Sequence, residues 1–303
     1  MGAGLLCAAL LLFALQDVLV KDVTARVPVF EVLTLRIAIV AGLFLLVCAV
    51  RRYSDSMGTR QRLILLLRGV LAFFAFTAYY MALSKLPMAT TSAVYMCAPL
   101  LVTAWSVPLL GERVGLRRWL GVVIGFIGVL IIINPGASLF DAAVLLPLFS
   151  AACYSLIPII TRFNSRTTAG LIMATYSSVS YTVCCLVLAV FVFAWPATAD
   201  SGVIWSAIAP PWIVPALADS LQILLAGLVF TVAMLFIAEA YRQAPVSVVA
   251  PFEYSYLLWS VLLGYLAFGD VPGVRVLAGA AIIIGSGLYV MHRERRVKAK
   301  SAS

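Results

Sequence analysis

Acidic side chains stand inside stretches apolar enough to face lipid, among them Asp17, Glu239 and Glu253. An ionisable group at membrane depth costs roughly 2.5–3.5 kcal/mol on insertion scales, so each needs a partner or a wet cavity. Asp17 has Gln16 beside it and Lys21 four residues on, the spacing of an intrahelical pair. That pair is either a structural ion pair or a gate or proton site. Glu239 lies three residues before Arg242, so local pairing and snorkelling explain it, with a gating or coupling role as the alternative. Glu253, in VVAPFEYSYLLWSVLLGYLAFG at 248–269, has no Lys or Arg three or four residues away. Its helical neighbours Tyr256, Ser260 and Gly264 form a narrow polar or small-residue stripe. It is either a protonated glutamate hydrogen-bonded to a neighbouring helix or a cavity-facing carboxylate that binds substrate or carries a proton.

Other residues join this set. Arg36 and Arg68 fall inside apolar stretches and read first as anchors or interhelix donors, Arg36 reaching Glu31 or the headgroups, and only second as substrate ligands. FFAFTAYY at 73–80 places Phe73, Phe76 and Tyr80 on one helix face. With Tyr95, Tyr154, Tyr256, Trp259 and Gln16, these side chains would suit a flat or cationic organic substrate. Pro158 and Pro251 are the hinge candidates, because proline interrupts helical hydrogen bonding.

The elements that position these groups follow from composition. The chain has 303 residues, 64% hydrophobic and only 11% charged, against about 25% charged in a soluble domain. It has too few polar side chains to cover a soluble globule, so it is an all-α integral membrane protein. The net charge of +9 comes from basic residues in short clusters between apolar runs, the pattern of cytoplasmic loops and not of a nucleic-acid face. The six cysteines, at 7, 48, 97, 153, 184 and 185, all lie in apolar runs without metal or redox spacing, and the single histidine, His292, is in a basic tail. No catalytic residue, metal or cofactor is expected. The first apolar run, Gly2 to Gln16, lacks a basic start and a cleavage motif and reads as a span.

At about 20 apolar residues per crossing, ten spans are predicted: 3–20, 30–50, 63–84, 87–110, 117–134, 142–161, 168–194, 214–241, 245–268 and 274–291. The connection 195–213 is long enough to lie on the membrane surface. With both termini in the cytoplasm of a cell whose inner membrane the chain crosses, 15 of the 21 Lys and Arg fall inside, 4 outside and 2 within spans, as the positive-inside rule demands.

The chain also repeats. LPMATTSAVYMCAPLLVTAWSVPLLGERVGLRRWLG (86–121) aligns without a gap on APVSVVAPFEYSYLLWSVLLGYLAFGDVPGVRVLAG (244–279) at an offset of 158. Pro87 falls on Pro245, Gly111 on Gly269, Glu112 on Asp270, Gly115 on Gly273, Arg117 on Arg275 and Gly121 on Gly279, while Tyr95 is the counterpart of Glu253. Five spans per half is odd, so the halves are inverted, a common plan for an alternating-access carrier with its site where the halves meet. Gly121-x-x-x-Gly125 permits close helix approach, read as hairpin packing with a homodimer as the second option.

ALSKLP…LLGERVGLRRWLG and AYRQAP…AFGDVPGVRVLAG resemble the EamA domain of the drug/metabolite transporter superfamily. LQDVLVK and VVAPFEY are similar to the branch containing riboflavin and S-adenosylmethionine transporters. Asp270 for glutamate and Ser286 opposite Gly128 depart from the repeat pattern. The resemblance implies two EamA repeats, 1–136 and 137–291, with a basic cytoplasmic tail at 292–303. It also implies a central cavity lined by the first, third, fourth, sixth, eighth and ninth spans. The implied function is secondary transport of a small organic metabolite, riboflavin or a similar heterocycle first and S-adenosylmethionine next. Export of amino acids or related metabolites is the alternative within the class, and a multispan enzyme or a channel the alternative outside it.

Overall fold

A computed structural model describes residues 2–50, 57–111, 115–134, 141–162, 170–194, 212–243 and 250–302. The predicted surface connection at 195–213 lies almost wholly outside these residues, as do most of the linkers at 134–141 and 162–168 and the turn after Gly111. Among the described residues the structure is helical. Lipid offers no hydrogen bonds, so a crossing chain must satisfy its own amides, which a helix does within one segment.

The helices are α1 (Gly2–Val23), α2 (Val29–Val50), α3 (Thr59–Leu83), α4 (Met88–Tyr95), α5 (Ala98–Leu110), α6 (Leu116–Ile133), α7 (Leu145–Arg162), α8 (Gly170–Ala194), α9 (Leu217–Gln243), α10 (Ser255–Phe268) and α11 (Val274–Ala302). Among the described residues, eight segments are long and apolar enough to cross a membrane, α4 with α5 counting as one of them. The apolar part of α6, Trp119–Ile133, and the 14 residues of α10 are shorter. Helix α11 runs on to Ala302, so the basic tail continues the last helix.

Two of the expected spans depart from a regular helix. The fourth breaks at Met96 and Cys97, just before Pro99, whose missing amide cannot bond back to Tyr95. In the ninth, among the described residues, a 3-10 turn, Ala250–Tyr254, holding Pro251 and Glu253, precedes α10, which starts at Ser255. At the offset of 158, Met96 and Cys97 fall on Tyr254 and Ser255, where that turn meets α10. Helices α5 and α10 also end alike, on Gly111 at φ 66° and Gly269 at φ 69°. Both glycines are left-handed, a conformation that favours glycine over any residue with a Cβ.

Packing pairs α1 with α9 and α3 with α7, α2 with α8, and α6 with α11. Helices α6 and α11 run antiparallel: Gly121 lies against Val290, Gly125 against Ser286, and Gly279 against Ile132. The backbones touch where a Cβ on Gly128 would stand 2.8 Å from the Gly279 carbonyl. The Gly121 and Gly125 face is therefore filled by the last helix and by Leu100 of α5. Ser286 fits there by turning its hydroxyl onto the Ile283 carbonyl at 2.9 Å. On the outside of the bundle, two apolar grooves of ≈ 500 Å³ run between α5 and α6 and between α10 and α11. Ala104, Val107, Trp119 and Val122 line one, and their counterparts Leu262, Tyr265, Leu277 and Ala280 line the other.

Filling the α6–α11 crossing should be costly. Gly279→Leu is expected to lower stability by roughly 1–3 kcal/mol, the usual range for overpacking, read as a lower melting temperature in detergent. Gly4→Leu, with nothing within 4 Å of the added carbon, should leave it unchanged.

Candidate functional site

The most polar part of the interior is built on α1, where Gln16 and Asp17 are both buried, 0% and 3% exposed. Helix α2 brings Arg36, α3 brings Tyr79 and Tyr80, and α10 brings Tyr256. One Asp17 oxygen accepts from the Gln16 amide at 3.1 Å and the Tyr80 hydroxyl at 2.9 Å. The other accepts from Tyr79 at 3.2 Å and from Tyr256, and these two hydroxyls also contact each other. A carboxylate has about four acceptor positions, and all are used.

Arg36 is 0% exposed. Its Nη1 donates to the Gln16 carbonyl oxygen and to the Tyr80 hydroxyl, each at 2.8 Å. Gln16 and Tyr80 thus bridge a buried base to a buried acid, while the guanidinium lies over the rings of Tyr80 (4.5 Å) and Phe230 (5.1 Å). The charges balance across a linked set, the condition under which a buried pair is tolerated.

Aromatic rings extend from this cluster. Tyr79 meets Tyr95 at 5.2 Å, Tyr95 meets Tyr154 at 5.5 Å, and Tyr154 meets Phe76 at 6.3 Å. Phe76 then stacks on Tyr181 and meets Phe230 edge-on. Glu253 is in electrostatic contact with Tyr95 and Tyr154 in this column and with Tyr254.

Beyond Asp17, at the end of the bundle carrying the α1–α2 turn, lies a second charged layer. Lys21 pairs with Asp270 at 3.0 Å, donates to the Leu86 carbonyl at 2.9 Å and lies over Phe268. Arg26 bonds Asp22 at 2.8 Å and Asp219 at 2.9 Å, and Gln222 of α9 donates to Asp22 and to the Leu19 carbonyl. The i, i+4 pairing expected between Asp17 and Lys21 is therefore replaced. Asp17 turns inward to the tyrosines, and Lys21 turns to the end of α10, where a half-exposed carboxylate is in reach.

The remaining candidates are placed as follows. Tyr80, Tyr256 and Gln16 join the Asp17 network; Tyr95 and Tyr154 lie along the aromatic column, with Tyr154 partly exposed. Trp259 is half-buried against the main core, and its indole N–H has no partner among the described residues. Glu239 accepts from Gln243 at 2.8 Å, one turn further along α9. Pro158 lies within α7, and Pro251 lies in the 3-10 turn. Arg36 does not snorkel or reach Glu31, which instead accepts from the Ile213 amide at 3.1 Å; interhelix donors closer by hold it. Arg68 donates to Ser177 on α8. Tyr79 and the central place of Arg36 were missed. The signal was there: tyrosines on adjacent residues serve two neighbouring helices at once, and an acid–amide pair on α1 calls for donors at its own depth.

The family model described as "EamA-like transporter family" matches residues 1–134. The S-adenosylmethionine uptake transporter of Rickettsia bellii is 24% identical over 99% of this chain and 96% of its own length. The riboflavin transporter of Rhizobium johnstonii is 33% identical over 78% of this chain and 72% of its own length. A solved crystal structure superposes with a TM-score of 0.62 at 19% identity, covering 97% of this chain and 98% of the other, a likeness of fold.

If the network is organised about the carboxylate, deletions should rank. Asp17→Ala leaves Arg36 uncompensated and should cost about 3–5 kcal/mol, whereas Tyr79→Phe removes one donor and should cost about 1–3 kcal/mol. Unfolding of the two variants in detergent checks the order; equal losses would contradict it.

Proposed function

We propose, from the premise that this chain belongs to the EamA-like transporter family, that it carries a small organic metabolite across the cell inner membrane by alternating access between two inverted five-helix repeats. The chain is a multi-pass membrane transporter and not an enzyme. The observation that carries the finer reading is the buried cluster itself. Asp17, Arg36, Tyr79 and Tyr80 come from the first half and Tyr256 from the second, so polar side chains converge at the seam where an inverted-repeat carrier keeps its site.

Several features support the repeats, taken as 1–136 and 137–291. The interrupted fourth and ninth crossings, the paired left-handed glycines and the two matched grooves recur at one offset. The packing scheme maps onto itself when the halves are exchanged: α1 on α9 becomes α7 on α3, while α6–α11 and α2–α8 are self-related. The equivalent helices α6 and α11 lie antiparallel, as inversion requires. The positive-inside distribution supports cytoplasmic termini, which puts the Lys21–Asp270 and Arg26–Asp219 layer on the outer side. In this arrangement the outer end is shut by charge pairs above the cluster.

For substrate, riboflavin or a similar heterocycle is the first choice and S-adenosylmethionine the second. The column from Tyr79 through Tyr95 and Tyr154 to Phe76 offers flat faces to a conjugated ring, and the two named relatives carry these compounds in their printed names. Glu253, beside that column, is assigned to substrate binding or proton carriage.

Reconstituted protein should show saturable uptake or counterflow of one of these compounds in proteoliposomes. Glu253→Gln is expected to abolish or uncouple that flux while the protein still inserts and purifies. Unchanged flux with unchanged pH dependence would remove Glu253 from the mechanism.

A further inference from the structure

The Arg36 guanidinium is only half used. Nη1 holds Gln16 and Tyr80, but Nε and Nη2 have no partner although both are buried. These two atoms form the side-on fork of the guanidinium, two parallel N–H donors that match the two oxygens of a carboxylate. Two further hydroxyls lie in the same neighbourhood. The Tyr181 hydroxyl of α8 is in electrostatic contact with Arg36, and the Thr77 hydroxyl of α3 neighbours Tyr181. The two hydroxyls face each other and neither has any other hydrogen-bond partner, and Thr77 and Tyr181 are only 8% and 2% exposed. Two unsatisfied guanidinium donors and a pair of hydroxyls that have only each other therefore converge from three helices, and an unsatisfied buried polar group costs about 1–3 kcal/mol.

The charge balance points the same way. Asp17 is saturated by four local donors and reaches Arg36 only through Gln16 and Tyr80, while Arg36 makes no direct ion pair among the described residues. The free fork is thus the part of the cluster still able to take a negative charge, and aromatic faces flank it: Tyr80 and Phe230 against the guanidinium, and Phe76 stacked 6.1 Å from the Tyr181 ring.

We infer that the Nε–Nη2 edge of Arg36, with the hydroxyls of Tyr181 and Thr77, is a carboxylate-binding subsite, and that the transported metabolite carries a carboxylate joined to an apolar or aromatic body. This rests on the transport reading above and reverses its order of substrates, since S-adenosylmethionine carries a carboxylate and riboflavin does not. The carboxylate accepts both fork N–H groups and one or both hydroxyls, and no bond is made or broken.

The test uses the full-length protein in detergent, with S-adenosylmethionine and a panel of aromatic and amino-acid carboxylates, each measured against its own methyl ester. Acids should raise the melting temperature and their esters should not. Tyr181→Phe and Thr77→Val should each weaken acid binding about tenfold or more, the loss of one hydrogen bond to a charged group. Without ligand these two variants should melt close to the unsubstituted protein, because each hydroxyl they remove is partnered only by the other. Arg36→Lys should bind more weakly still, since an ammonium lacks the fork. The inference is overturned if esters stabilise as well as acids, if no acid stabilises, or if acid preference survives both hydroxyl deletions and Arg36→Lys. Should Arg36→Lys fail to fold, the two hydroxyl variants decide. Saturable proteoliposome flux of riboflavin, which has no carboxylate, with no preference for acids would sink this subsite while leaving the transporter reading intact.

Discussion

A carboxylate removed from water keeps its charge only if protein donors replace the lost hydration, and in this chain that requirement gathers three helices around Asp17. Gln16, Tyr79, Tyr80 and Tyr256 each direct a donor to it. Meeting that demand fixes the rotation of α1, brings the end of α3 against it, and draws the start of α10 across the seam. The same demand places Arg36. A buried guanidinium needs acceptors, and Gln16 and Tyr80 can serve both charges because an amide and a hydroxyl each accept and donate. A purely apolar seam could slide, whereas a bridged acid and base have few arrangements in which every member is satisfied.

The two ends of the bundle are joined by different chemistry. Above the cluster, Lys21, Asp270, Arg26, Asp22, Asp219 and Gln222 tie α1, α9 and the end of α10 with charge-assisted bonds of about 3 Å. At the other end, the described contacts between helices include no ion pair: Ser180 donates to the Leu66 carbonyl at 2.8 Å, Arg68 to Ser177 at 3.3 Å and Ser255 to the Cys7 sulfur at 3.8 Å. The charged layer is partly exposed, so water can take over its bonds when it parts. The Asp17 cluster has no such substitute unless water or a ligand enters.

What could be read from the residue order, and what could not, divides along a physical line. Apolar length reports on the bilayer, a uniform solvent, so the membrane class was legible, and eight of the ten expected spans coincide with helices long and apolar enough to cross, while the fifth and ninth are shorter among the described residues. The offset of 158 was read from matched Pro and Gly, which mark backbone geometry, and two of those matched residues, Gly111 and Gly269, both adopt the left-handed conformation. Side-chain partners were a different matter. Helical periodicity tells which face a residue occupies but not which helix lies opposite, so Lys21 was matched to its neighbour in sequence when its partner is 249 residues away. Arg36 is an interhelix donor, one of the roles expected of it, but its acceptors are Gln16 and Tyr80 and not Glu31 or the headgroups, because packing of α1 and α3 against α2 removes the snorkelling option. Met96–Cys97 and Ala250–Tyr254 were legible as proline-bearing stretches but not as helix breaks, because a proline bends, kinks or ends a helix according to its neighbours.

The repeat is geometric more than chemical, and the difference is informative. Tyr95 and Glu253 occupy equivalent positions where the fourth and ninth crossings break, yet one is a phenol in the aromatic column and the other a carboxyl group beside it. The backbone departs from a regular helix near both positions, while the side chains there differ. Were the side chains symmetric as well, the seam would present one chemistry twice. Placing acid, base and phenols unequally about a nearly symmetric break gives a bound molecule a distinct head and tail environment, with Arg36 and Asp17 on one side of the tyrosine column and Glu253 at its edge. An orienting site of this kind follows from the same economy that buried the charges: each polar group in lipid needs partners, and only a few positions at the seam supply them.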